Sequence, residues 1–106
     1  MQVYDAAVQG VEATDKAIKT VYDACRKEGY VLFVTADHGN AEEMKNEEGG
    51  PKTSHTTNRV PFILANAPED WSLKKTDGVL GDVAPTCLAA MGLSQPEDMT
   101  GTNLLM

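Results

Sequence analysis

The sequence predicts an α/β fold whose mainly parallel sheet is covered by helices, and three observations predict it. A long amphipathic stretch over residues 3–28 stops at a glycine. A continuous β-branched, aromatic and aliphatic run, Tyr30-Val31-Leu32-Phe33-Val34-Thr35, follows at once. That run breaks off in a polar turn, Ala36-Asp37-His38-Gly39-Asn40, at the carboxyl end of the strand, where open α/β sheets gather their ligands.

The helix is read from its period. Val3, Tyr4, Ala7, Val8, Val11, Thr14, Ile18, Val21, Tyr22 and Cys25 recur at spacings of mostly three and four, which marks one helical face. Asp5 lies in the first turn and Arg26 and Lys27 in the last, as the helix dipole favours. Gly29 suits the left-handed residue that ends a helix. From Val3 to Glu28 such a helix is roughly 39 Å long, enough to span a sheet larger than this chain builds. The unalternating strand that follows wants cover on both faces, as in a parallel sheet.

Beyond the turn, Ala41 to Asn46 reads as a short helix and Glu47 to Ser54 as a loop broken by Gly49-Gly50-Pro51. Val60 to Ala65 is a second strand, with Pro61 confined to its start or to an edge because proline cannot donate to a ladder. Residues 66–81 read as loop with room for a hairpin, Trp71 covering an edge of the core. Asp82 is the expected cap of a helix from Val83 to Met91, with Pro85 in its first turn and Gly92 after its end. Ser94 to Met106 is an irregular tail with a last short strand at Asn103 to Leu105.

Composition narrows the function. The chain has 106 residues, 9 of them basic and 16 acidic, for a formal net charge of -7. A chain of this size makes one small domain, and the acidic balance excludes a binder of nucleic-acid backbones, which needs clustered Lys and Arg. No apolar run approaches the roughly 20 residues of a membrane span. Cys25 and Cys87 stand far apart and read as reduced thiols.

The chain has two histidines. His38 follows Asp37 in the turn, and His55 comes 17 residues later, before the second strand. Carboxylate and neutral imidazole together suit Mn, Zn or Fe. A plain Asx turn at Asp37 and a solvated or core-satisfied His55 are the commoner readings of such residues, and the residues by themselves leave the metal site open.

Longer blocks carry a resemblance. Thr35-Ala36-Asp37-His38-Gly39-Asn40-Ala41-Glu42-Glu43-Met44, Ser54-His55-Thr56-Thr57-Asn58 and Val60-Pro61-Phe62-Ile63 resemble the cofactor-independent phosphoglycerate mutase family. Gly78 to Thr86 and Met99-Thr100-Gly101 are similar to that family's last helix and tail. The Asp-His-Gly element is shared with the wider alkaline-phosphatase-like metalloenzymes, whereas the Asn-Ala-Glu-Glu-Met and Ser-His-Thr-Thr-Asn blocks are narrower. Arg59 departs from the family, which usually has Pro there.

The resemblance implies an isomerase of glycolysis and gluconeogenesis in the cytoplasm. Such an enzyme interconverts 3-phosphoglycerate and 2-phosphoglycerate through a phosphoserine at a site of two Mn-type ions, with Zn, Co or Mg as alternatives. It implies an alkaline-phosphatase-like, partial three-layer α/β/α fold, of which residues 1–106 would be a single C-terminal fragment of the metal-binding domain. Asp37 and His38 would hold one ion. His55 would hold the other, beside an Asp-x-x-x-His element that lies before Met1. The serine nucleophile would also lie upstream, so no catalytic residue is expected in this chain: Ser54, Ser72 and Ser94 read as loop residues. The chain alone is therefore expected to be inactive.

The alternative is a non-catalytic α/β module or pseudoenzyme acting in assembly. In either case the long helix presents more apolar stripe than short strands cover. The isolated chain is expected to self-associate through sheet edges or helix exchange.

Overall fold

The structure is a computed structural model that describes residues 4–40 and 57–106. The expected short helix at 41–46, the loop after it and His55 lie outside the described residues. The chain divides into two compact units, residues 1–66 and 67–106.

In the first unit, helix α1 spans Tyr4–Glu28, as its period predicts. Its end is fixed by Gly29, at φ 75°. That left-handed turn lets the Tyr30 N–H reach back to the Cys25 carbonyl at 2.8 Å, satisfying one of the four carbonyls a helix leaves open. Strand β1 covers Leu32–Thr35 and strand β2 covers Phe62–Ala65. They pair antiparallel, from Leu32 opposite Ala65 to Thr35 opposite Phe62. This two-stranded pair displays neither the parallel order nor the three layers expected of the sheet. The Phe33 and Phe62 rings, diagonal neighbours in that register, stack with centroids 5.3 Å apart. Pro61 sits just before β2, where its missing N–H costs nothing, and its carbonyl accepts the Thr35 hydroxyl at 2.8 Å.

Asn66 ends β2 in the left-handed region at φ 54°, a conformation asparagine tolerates better than most residues. Its Nδ2 donates to the Cys25 carbonyl at 3.1 Å and to the Tyr30 carbonyl at 2.8 Å. One side chain thus ties the end of the helix to the entry of β1.

The second unit packs a helix against the C-terminal tail. A short 3-10 turn, η1 (Leu80–Asp82), leads into helix α2 (Val83–Ala90). Helix α2 ends in the full left-handed motif: Gly92, at φ 71°, donates to Ala89, and Leu93 donates to Leu88 at 2.9 Å. The expected hairpin and last strand reduce to a single antiparallel bridge, Leu73 with Leu105. It is flanked by hydrogen bonds from Lys74 N–H to the Leu104 carbonyl and from Met106 N–H to the Ser72 carbonyl.

Asp82 corrects the sequence reading. It precedes α2, but its side chain makes no capping hydrogen bond to that helix. Its Oδ2 instead accepts the Val79 N–H at 2.9 Å and its Oδ1 the Thr102 N–H at 2.8 Å. These two bonds hold the carboxyl below the usual carboxylate range, the Thr102 bond contributing most. The Asp82 carbonyl accepts the Thr86 hydroxyl at 2.7 Å, and the same oxygen of Thr86 accepts the Leu104 N–H at 2.9 Å. Asp82, Thr86 and Leu104 are all buried. Gly101 is forced by this packing: a Cβ there would fall onto the Gly81 carbonyl.

Candidate metal centre

The turn beyond β1 takes its position from the strand pair. Thr35, the last residue of β1, is held by its pairing with Phe62 and by its hydroxyl on the Pro61 carbonyl. Asp37 and His38 therefore follow within three residues of a fixed point. Gly39 is buried, whereas Asp37 and His38 on its N-terminal side are exposed. The backbone dives inward as the two ligand-type side chains turn outward.

The imidazole is oriented by its neighbour. His38 Nδ1 lies 3.1 Å from the Gly39 carbonyl. A carbonyl only accepts, so the Nδ1 proton points there and Nε2 carries the lone pair of the neutral ring. Nε2 lies 3.5 Å from Asp37 Oδ1, and the Asp37 side chain is 87% exposed. In the neutral ring these are two electron-pair donors facing each other. Such an arrangement is one that a cation could share.

The donor set fits a divalent metal. One carboxylate oxygen and one imidazole nitrogen match the ligand chemistry of Mn or Zn, and an Nδ1–H pinned to a backbone carbonyl is the usual outer partner of a ligating histidine. A 3.5 Å separation is one that a single ion bridges at ordinary bond lengths of about 2.1 Å. Asp37 and His38 are thus brought together as the spacing suggested, while His55 lies outside the described residues. Among the described residues no three His, Cys, Asp or Glu side chains gather around one point. Ser72 and Ser94 lie in irregular backbone, as expected. The residue that sequence reasoning missed is Gly39: a backbone acceptor leaves no signature in side-chain chemistry. Cys25 and Cys87 are both free thiols. No helix of the described residues is long and apolar enough to cross a membrane.

Comparison with known proteins gives the family of the chain. A model of the metalloenzyme superfamily matches residues 2–95. The chain is 52% identical over 101 residues to a 2,3-bisphosphoglycerate-independent phosphoglycerate mutase of Onchocerca volvulus, covering 93% of this chain and 20% of the relative. It is 52% identical over 105 residues to the protein of that name from Caenorhabditis elegans, covering 97% and 19%. Among solved structures it is similar to a phosphoglycerate mutase of Leishmania mexicana determined at low cobalt concentration, with a TM-score of 0.74 and 28% identity over 93% of this chain and 21% of the other. The chain spans about a fifth of the length of the relatives it matches.

Proposed function

We propose, from the premise that the chain belongs to the metalloenzyme superfamily, that it supplies part of the two-metal site of a cofactor-independent phosphoglycerate mutase. The complete enzyme would interconvert 3-phosphoglycerate and 2-phosphoglycerate in the cytoplasm. Residues 1–106 would belong to its alkaline-phosphatase-like, three-layer domain, with the sheet extended by strands from the rest of the enzyme. The observation that carries the reading is the oriented pair at the end of β1, His38 Nε2 facing Asp37 Oδ1 at 3.5 Å. The relatives' names and the match to a mutase structure determined at low cobalt concentration support it.

In this reading Asp37 and His38 hold one ion and His55 contributes to the second. Bound there, divalent ions, Mn foremost, supply Lewis-acid polarisation of a phosphoryl oxygen and a template for in-line displacement. The chain's own residues do the rest of the placing. The Thr35 anchor fixes the base of the turn. The Gly39 carbonyl keeps the Nδ1 proton, so that Nε2 presents its lone pair. The 87% exposure of Asp37 leaves its carboxylate open to an incoming ion. By the resemblance, the serine nucleophile would come from elsewhere in the enzyme.

A titration with Mn followed by electron paramagnetic resonance tests the assignment. The expected affinity of these 106 residues is on the order of 10 µM or weaker, because ligands divided between two ions leave water in the open positions. Asp37→Ala and His38→Ala should each abolish it. Sub-micromolar binding that survives both variants would overturn the assignment.

A further inference from the structure

We infer that Thr35 is a positioning residue for the Asp37–His38 pair, and that it acts through its hydroxyl on the Pro61 carbonyl. The inference rests on the reading that this pair holds a divalent ion, and it adds what sets the affinity of the pair.

The two ligand-type residues stand in a short bracket. Thr35 ends β1, and Gly39 is buried. Residues 36–38 are all that lies between. The Asp37 side chain is 87% exposed, so packing does little to hold its oxygens in place. Their position comes from the backbone, and the backbone is set at the two ends of the bracket.

Proline fixes where the first end falls. The strand register runs from Leu32 opposite Ala65 to Thr35 opposite Phe62. One step further would set Ala36 opposite Pro61, which has no N–H to donate to a rung. The pairing therefore stops two residues before Asp37. The Pro61 carbonyl accepts the Thr35 hydroxyl at 2.8 Å, so the threonine fastens the end that the proline leaves. Valine and isoleucine suit a strand position as well as threonine does, and neither carries a hydroxyl. Strand propensity alone does not select threonine here.

The consequence separates affinity from folding. Thr35 is exposed, so water can take the place of its hydroxyl on the Pro61 carbonyl. The strand pair keeps its register and the stacked rings of Phe33 and Phe62. The turn, released at one end, then divides among several arrangements, and an ion binds the one that sets both donors together. Apparent affinity falls with the fraction of chains in that arrangement. Losing one hydrogen bond of ordinary strength corresponds to a fall of about fivefold.

The test pairs a Mn titration, followed by electron paramagnetic resonance, with urea midpoints in metal-free buffer. Thr35→Val keeps the branched shape and should bind Mn about fivefold more weakly, with little change in the urea midpoint. Thr35→Ser keeps the hydroxyl and should bind within about twofold of the parent chain. Equal affinity of Thr35→Val and the parent, with Asp37→Ala still abolishing binding, would overturn the inference and leave the metal assignment standing. A weakening that Thr35→Ser shares would overturn it too, as would one that follows a lowered midpoint in Thr35→Val, because either assigns Thr35 to folding alone. Binding that survives Asp37→Ala, or no binding by the parent chain, would overturn the metal assignment and this inference with it.

Discussion

Asp37 and Asp82 each follow an apolar segment, and each is followed by a helix or turn that its carboxylate is suited to start. The folded chain treats them in opposite ways. Asp82 is 6% exposed, and its carboxylate accepts the Val79 and Thr102 amides, one on each oxygen. Asp37 has an 87% exposed side chain, and the His38 Nε2 lies 3.5 Å from its Oδ1. The first carboxylate is consumed by the backbone around it. The second is displayed to solvent beside an imidazole nitrogen. The lesson is that an aspartate's role is decided by where its oxygens are satisfied, which residue type and local motif do not reveal.

The sharpest way to break this contrast is at the packing around Asp82. Gly101→Ala drives a Cβ onto the Gly81 carbonyl, and neither backbone is free to give. A loss of about 3 kcal/mol is expected, the upper end for overpacking, read from the urea midpoint. The same substitution should leave Mn binding at Asp37 and His38 unchanged, since it acts in the other unit of the chain.

A gentler probe is pH. The Asp82 carboxyl lies below its ordinary value in the folded chain. As pH falls below about 4, the unfolded chain takes up the proton before the folded one does. The stability contributed by the charged carboxylate is therefore complete above the ordinary carboxylate range, and drains away as pH falls through the lowered folded value. Asp82→Asn should remove that acid-side loss, at the cost of lower stability at neutral pH, because one amide faces an NH2 group in place of an acceptor. A denaturation series from pH 7 to strong acid checks it. Parallel acid limbs in the two proteins would show that other carboxylates set the slope.

The smallest effect on folding is expected at the displayed pair. Asp37→Ala and His38→Ala should each change stability by no more than about 0.5 kcal/mol, as exposed positions do. A larger loss in metal-free buffer would mean that the turn depends on these side chains structurally, and the contrast with Asp82 would fail.

Much of this was legible in the sequence because it is local. The period of α1 and its glycine stop are set by neighbours three and four residues apart, and the helix ends at Glu28 where Gly29 places it. Asp37 and His38 are adjacent, so their pairing needs only the strand before them to end on time. The long-range items were not legible. An apolar run such as Tyr30 to Thr35 states that both faces want cover, and says nothing of which way its neighbour runs. The described neighbour, β2, runs antiparallel. Asp82 read as a cap because aspartate before a helix usually is one, yet its partner Thr102 lies 20 residues away. Nothing in the intervening residues advertises that contact. Gly39 escaped notice because its contribution is a carbonyl that every residue possesses.

The β1–β2 pair has a consequence in chain entropy. Thr35 opposite Phe62 closes a loop of residues 36–61, with Asp37 and His38 at one foot. Closing a chain segment of that length costs about 3 kcal/mol. Stacked Phe33 and Phe62 and the strand hydrogen bonds meet that cost before any ion arrives. Any ion held by Asp37 and His38 would therefore bind at a foot whose position the strand pairing has already fixed.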